Sequence, residues 1–179
     1  VRPWAFGEAL RRGATAVGLR KLLADAGVTV TLIDGLSSGL PGMPDPASMD
    51  GETRARMPPD VLEPPGEELC FRTAGELGAG MLNVAAYRGS QVPLEVMADA
   101  IGGICRRAAP HGILVELEFL PESGIPDIGH AVRLIELCGE ANCGLTLDTF
   151  HLGRSGGGAE DIRGLPGGII GGIQIGDRD

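Results

Sequence analysis

Basic residues are scarce in this 179-residue chain, where 15 lysines and arginines stand against 24 aspartates and glutamates for a formal charge of −9. A phosphate backbone is gripped by clustered cations, so this balance argues against nucleic acid as a partner. Aromatic residues make up only 3%, which leaves few platforms for stacked bases. No run of 18 or more apolar residues is present to span a bilayer, and the first residues lack a basic region leading into an apolar core. The expectation is a soluble, cytoplasmic protein without a membrane partner. No P-loop occurs and no GxGxxG follows the first apolar strand, so neither common nucleotide cradle is offered. Only four cysteines are present, Cys70, Cys105, Cys138 and Cys143, with no CxxC pair. They read as buried free thiols and not as a metal or redox set.

Glycine, by contrast, is abundant, with 30 residues. Most fall at junctions between apolar runs, where tight turns or positive φ are needed. They punctuate many short elements. PWAFGEALRRGA has helical spacing, ATAVGLR reads as a strand, KLLADAG as a short helix closed by Gly27, and VTVTLIDG as a β-branched strand ending at Asp34. Residues 36–66 form a long Pro/Gly-rich loop after that strand, of the kind that serves as a lid or a surface excursion. The alternation then resumes, with helices EELCFRTAGELGA, PLEVMADAIGGICRRAAPHG and IPDIGHAVRLIELCGEANC between strands GMLNVAAY, ILVELEFL and GLTLDTFH. A short helix AEDIRGLPG and a last strand GIIGGIQIGDRD follow. Asp127 is placed to cap its helix. Strands alternating with helices imply a parallel sheet with helical crossovers. The length fits one α/β domain over residues 1–179, either an open doubly wound sheet or a (β/α)8 barrel lacking its first and last strands.

The chemistry collects at the ends of three strands. Glu116 and Glu118 are two apart on ILVELEFL and share one side of it. A carboxylate on an inward face is costly unless paired or bound to metal; Glu118 lies nearer the C-terminal end, while Glu116, one layer deeper, could be held by an arginine such as Arg20. Asp148 ends the apolar run GLTL, and His151 follows where the strand gives way to loop. Aspartate and neutral histidine both suit divalent zinc, manganese or cobalt. Gln174 on the next strand offers an amide oxygen, either as a ligand or as a structural hydrogen-bonding group. Asp177 and Arg178 lie just beyond it, within reach of a substrate. His111, at the end of a helix, and His130, on a helix far from the strand tips, read as structural or surface residues.

From about residue 70 onward, ELEFLP, LDTFH and IQIGDRD resemble the strand ends of the xylose isomerase-like TIM barrels, the sugar phosphate isomerase/epimerase or AP endonuclease family 2 superfamily. The resemblance implies a (β/α)8 barrel with a divalent ion, Mn2+, Mg2+, Co2+ or Zn2+, held by Glu118, Asp148 and Gln174. His151 would contact substrate beside the metal, and Asp177 and Arg178 would help bind it. It also implies a second glutamate from the last barrel strand, which lies beyond these residues, so the chain is expected to be part of a longer protein.

The implied activity is isomerisation or epimerisation of a sugar or related keto-polyol. Glu118 and His151 would be the catalytic residues, and proton abstraction next to a carbonyl would pass through a metal-stabilised enediolate. A dehydratase follows from the same proton abstraction, and a non-catalytic barrel subunit with a degenerate metal site is the remaining alternative. A three-metal AP endonuclease is disfavoured, because LIDG and NVAAY bring no histidines to their strand ends. The expected partner is a small sugar-like molecule, with a homo-oligomer possible.

Overall fold

The structure is a computed structural model that describes residues 1–43, 45–56 and 62–176. In chain order the elements are α1 (Pro3–Arg11), α2 (Ala16–Asp25), β1 (Leu32–Leu36), α3 (Gly51–Arg56), α4 (Glu67–Leu77), β2 (Met81–Ala85), α5 (Leu94–Ala108), β3 (Leu114–Glu118), α6 (Ile128–Cys138), β4 (Cys143–Asp148), α7 (Thr149–Arg154), α8 (Ala159–Arg163) and β5 (Ile170–Gln174). The strands pair in parallel in the order β1-β2-β3-β4-β5. Parallel strands laid side by side in chain order, each reached through a helical crossover, are the winding of a (β/α)8 barrel. Five contiguous strands of such a ring are present among the described residues.

Five strands, and not the six read from the sequence, follow from one correction. ATAVGLR is the opening of a helix: Thr15 Oγ1 accepts a hydrogen bond from the Gly18 N–H at 3.0 Å, a side-chain N-cap. The helix buries none of its residues, and Val17 is 67% exposed. The β-branched signal of Val17 therefore has no sheet to satisfy, and the cap decides the conformation.

The central strands carry apolar side chains with no exposure, Leu82 and Val84 on β2, Val115 and Leu117 on β3, Leu145 on β4, as expected for strands covered on both faces. Helix α5 packs Met97, Ala98, Ile101, Ile104, Cys105 and Ala108 into the core, the i, i+3, i+4 stripe of an amphipathic helix. Glycines close three helical segments in the left-handed region, Gly78 after α4, Gly112 beyond α5 and Gly139 after α6. Each turn then leads into a strand, and the strand C-termini all face one end of the sheet. No helix of the described residues is long and apolar enough to cross a membrane.

Asp127 caps α6 as expected, its Oδ1 accepting the His130 N–H at 2.9 Å and lying 2.8 Å from His130 Nδ1. Partial burial would raise this carboxyl, but the hydrogen bonds from His130 outweigh it and hold the group below the usual aspartate range. A carboxyl lowered in the folded state adds stability above its unfolded pKa and loses it as pH falls through the folded value. Asp127→Ala is therefore expected to cost about 1 kcal/mol at neutral pH, with the gap between variant and wild type closing in acid. Urea unfolding at neutral pH and below the carboxylate range measures both; a gap independent of pH would contradict the assignment.

Candidate metal and catalytic centre

The C-terminal ends of β3 and β4 bring three of the expected site residues together. Glu118 is the last residue of β3 and Asp148 the last of β4, each 8% exposed. His151 stands one turn into α7. The chain does not loop out after Asp148 as the sequence suggested, because Asp148 Oδ1 accepts the N–H groups of Phe150 and His151 at 2.7 and 3.1 Å and starts a helix at once. That turn swings the imidazole back over the strand ends. His151 Nε2 lies 3.5 Å from Glu118 Oε1 and 3.9 Å from Asp148 Oδ2, and one ligand atom from each of the three falls within 4.8 Å of the others.

Asn83, in the middle of β2, was not singled out in the sequence, yet it organises the carboxylates. Its Nδ2 donates to Glu118 Oε2 at 2.6 Å and to Asp34 Oδ1 at 3.0 Å. Oε2 is thus tied down, and Oε1 is the oxygen that faces His151. The available signal was a fully buried asparagine inside the apolar strand MLNVA, where an amide must find partners.

Burial pushes the Glu118 carboxyl above its usual range; the Asn83 hydrogen bond works against this, and the nearby Asp34 and Asp148 charges add to it. Burial also lowers His151, opposed by Asp148 and aided by Arg88 and Arg154, which favours the neutral ring. Its Nδ1 is buried without a hydrogen-bond partner among the described residues.

This donor set fits a divalent cation. Two buried carboxylates crowded together are costly unless a positive charge lies between them, and a neutral imidazole adds a nitrogen ligand suited to zinc, manganese or cobalt. Gln174 is the Cα partner of Asp148 across β4 and β5, which puts it on the neighbouring strand end without a hydrogen bond to the three. Asp177 and Arg178 lie outside the described residues.

Glu116 is not held by Arg20, which instead donates to the Glu76 carbonyl at 2.6 Å and its carboxylate at 3.0 Å on the outside of the barrel. The Glu116 carboxylate fills the space left by two glycines: a Cβ on Gly144 or Gly171 would run into it. The Gly171 backbone donates to it, yet burial dominates and raises its pKa.

A cleft of about 420 Å³ adjoins the cluster, lined among others by Arg2, Trp4, Asp34, Ala85, Arg88 and Leu120. Ala85 is the Cα partner of Glu118, so cleft and carboxylate share one strand-end layer. A parallel barrel sheet with carboxylates and a histidine converging at the C-terminal ends of its strands has its polar groups where the barrel fold places active sites.

The family model for the xylose isomerase-like TIM barrel matches residues 6–179. The chain belongs to that family. Among solved structures it is similar to the IolI protein with a bound zinc atom, at 16% identity and TM-score 0.74 over 98% of this chain and 61% of that one. It is similar to 3-keto-D-glucoside 4-epimerase YcjR from E. coli at 19% identity and TM-score 0.67, covering 90% and 64% of the two chains. The probable 3-DHS dehydratase AsbF from Bacillus anthracis follows at 20% identity and TM-score 0.67, covering 93% and 58%. The chain thus spans less than two thirds of each of these structures. No curated protein matches it. At these identities the likeness establishes the fold.

Proposed function

We propose that this chain carries the metal-binding part of a sugar isomerase or epimerase that moves a proton next to a carbonyl. The observation that carries the reading is the convergence of Glu118, Asp148 and His151 at the strand ends beside a cleft of sugar size. Glu118, Asp148 and His151 would hold the ion, with Gln174 on the adjacent strand end in reach of the same position. When bound, the ion supplies Lewis-acid polarisation of a substrate hydroxyl and carbonyl. Glu118 Oε1, free of the Asn83 hydrogen bond, is the proton acceptor, and its raised pKa brings it closer to that of a useful base. His151 would offer Nε2, the ring nitrogen that faces Glu118 and Asp148, to that ion. Trp4 offers an apolar face for a sugar ring, Arg2 and Arg88 offer donors for its hydroxyls, and Asp177 and Arg178 would add polar contacts. The bound zinc of the IolI structure and the keto-glucoside epimerase among the structural neighbours support this reading.

The dehydratase among the neighbours supports a second outcome of the same step: proton removal followed by loss of a β-hydroxyl. Incubating the manganese-loaded full-length protein in D2O with keto-hexoses, keto-glycosides and cyclitol ketones separates them. Deuterium should enter next to the carbonyl, with the substrate mass otherwise unchanged for an epimerase and reduced by one water for a dehydratase. EDTA should abolish both. No exchange with any metal across that panel would overturn the reading.

A further inference from the structure

The end of the sheet opposite the candidate active site holds a second cluster, built from the cysteines that the sequence suggested were inert. Cys105 lies on α5, Cys138 is the last residue of α6 and Cys143 the first of β4. Their sulfurs all lie within 4.8 Å of one another. Cys105 is fully buried, but Cys138 and Cys143 are only half-buried. The cluster is separate from the strand-end site: Cys143 and Asp148 bound the same strand, and five residues at about 3.3 Å each separate them by roughly 17 Å.

The surroundings hold these sulfurs in place. The turn between Cys138 and Cys143 is pinned to α5 and to the residue just before β3 by Asn142 Nδ2, which donates to the carbonyls of Cys105 at 2.9 Å and Ile113 at 3.1 Å. Within the turn, the Cys143 N–H closes onto the Glu140 carbonyl at 3.1 Å. The Cys138 sulfur packs against α5 at Gly102, where a Cβ would lie 3.6 Å from it, in ordinary van der Waals contact. The Arg106 guanidinium nearby favours negative charge on that sulfur. At the rim, Arg106 Nη1 meets the Glu140 carboxylate at 2.6 Å.

We propose that Cys105, Cys138 and Cys143 form a site for a thiophilic d10 cation such as zinc, with the fourth position open toward Glu140 and solvent. A zinc–sulfur bond of about 2.3 Å in a tetrahedral shell sets sulfurs roughly 3.8 Å apart, so side-chain rotations of about 1 Å close the present triangle onto one ion. Binding releases the three thiol protons to solvent as the sulfurs become thiolate ligands. The ion ties α5, α6 and β4 together at the base of the barrel, away from the reacting groups, and the site stands independently of the active-site reading.

Cadmium is the probe, because its thiolate complexes absorb in the ultraviolet where carboxylate and imidazole complexes do not. Reduced full-length protein titrated with cadmium should develop a thiolate-to-metal band that saturates at about one ion per chain. The band should persist in Asp148→Asn, which disables the strand-end site, and be lost in the double variant Cys138→Ser, Cys143→Ser. Both replaced side chains are half-exposed, and circular dichroism verifies that the double variant folds. Absence of the band in folded, reduced wild type would overturn the proposal, as would its survival in the double variant. Two of the three thiols found joined as a disulfide in protein purified without reductant would also overturn it, in favour of a redox pair.

Discussion

Replacing Glu118 with glutamine is expected to lower kcat by about 10²- to 10⁴-fold, the range for removing a positioned general base, in protein that remains folded. The amide has a single oxygen, which either faces the metal position or accepts from Asn83 Nδ2 but not both, so a divalent ion should bind with reduced affinity. Stability should move the other way. Burial raises the Glu118 carboxyl in the folded state, so between the unfolded and folded pKa values the native protein holds the proton more tightly and stability falls as pH rises through that window. A neutral glutamine is free of that cost, and in EDTA at neutral pH Glu118→Gln should melt no lower than wild type. Loss of turnover can then not be assigned to unfolding. Titration supplies a second check. In metal-free protein the Glu118 carboxyl should titrate above the ordinary glutamate range because burial disfavours its charged form, and Asn83→Leu, which removes the donor that favours the ionised form, should push it higher still. Retained turnover in Glu118→Gln would remove Glu118 as the base.

Legibility along the chain followed the range of the interactions. ELEFL and GLTLD show their role locally, because an apolar run ending in a carboxylate has few structural readings other than a parallel strand presenting that group at its C-terminal edge. The caps at Asp127 and Asp148 are equally local, although the second was legible only as a strand end and its capping of α7 was not. ATAVGLR failed for the opposite reason: Val17 and Leu19 look like strand residues, but α2 lies on the outside of the barrel with no residue buried, and nothing within seven residues reports that. Asn83 and the three cysteines depend on tertiary contact. The Asn83 amide acquires meaning when β1 and β3 bring Asp34 and Glu118 to either side of it. Cys105 joins Cys138 and Cys143 only because α5 packs against α6, and a spacing rule for zinc ligands does not reach across 33 residues of chain.

Asp148 is where the two kinds of signal meet, and its substitutions should separate them. One oxygen, Oδ1, caps α7 through the N–H groups of Phe150 and His151, while the other, Oδ2, faces His151 Nε2 at 3.9 Å. Asparagine caps a helix as well as aspartate does, so Asp148→Asn should keep α7 and the imidazole in place while removing the negative charge that attracts the ion. Bound manganese, an ion that oxygen and nitrogen donors hold and thiolates do not select, should fall from about one per chain to near zero, with the melting temperature in EDTA unchanged. Asp148→Ala loses the cap as well, at about 0.5–2 kcal/mol, or a few degrees in a chain of this size, and frees His151 from its position over Glu118. Both variants should be inactive, but only alanine should be unstable without metal. Stoichiometric manganese retained in Asp148→Asn would show that the charge is dispensable and that this ion is held elsewhere. Equal melting of the two variants in EDTA would instead show that the cap contributes nothing and that His151 is positioned by its packing against Phe150, whose ring lies edge-on to it at 5.4 Å.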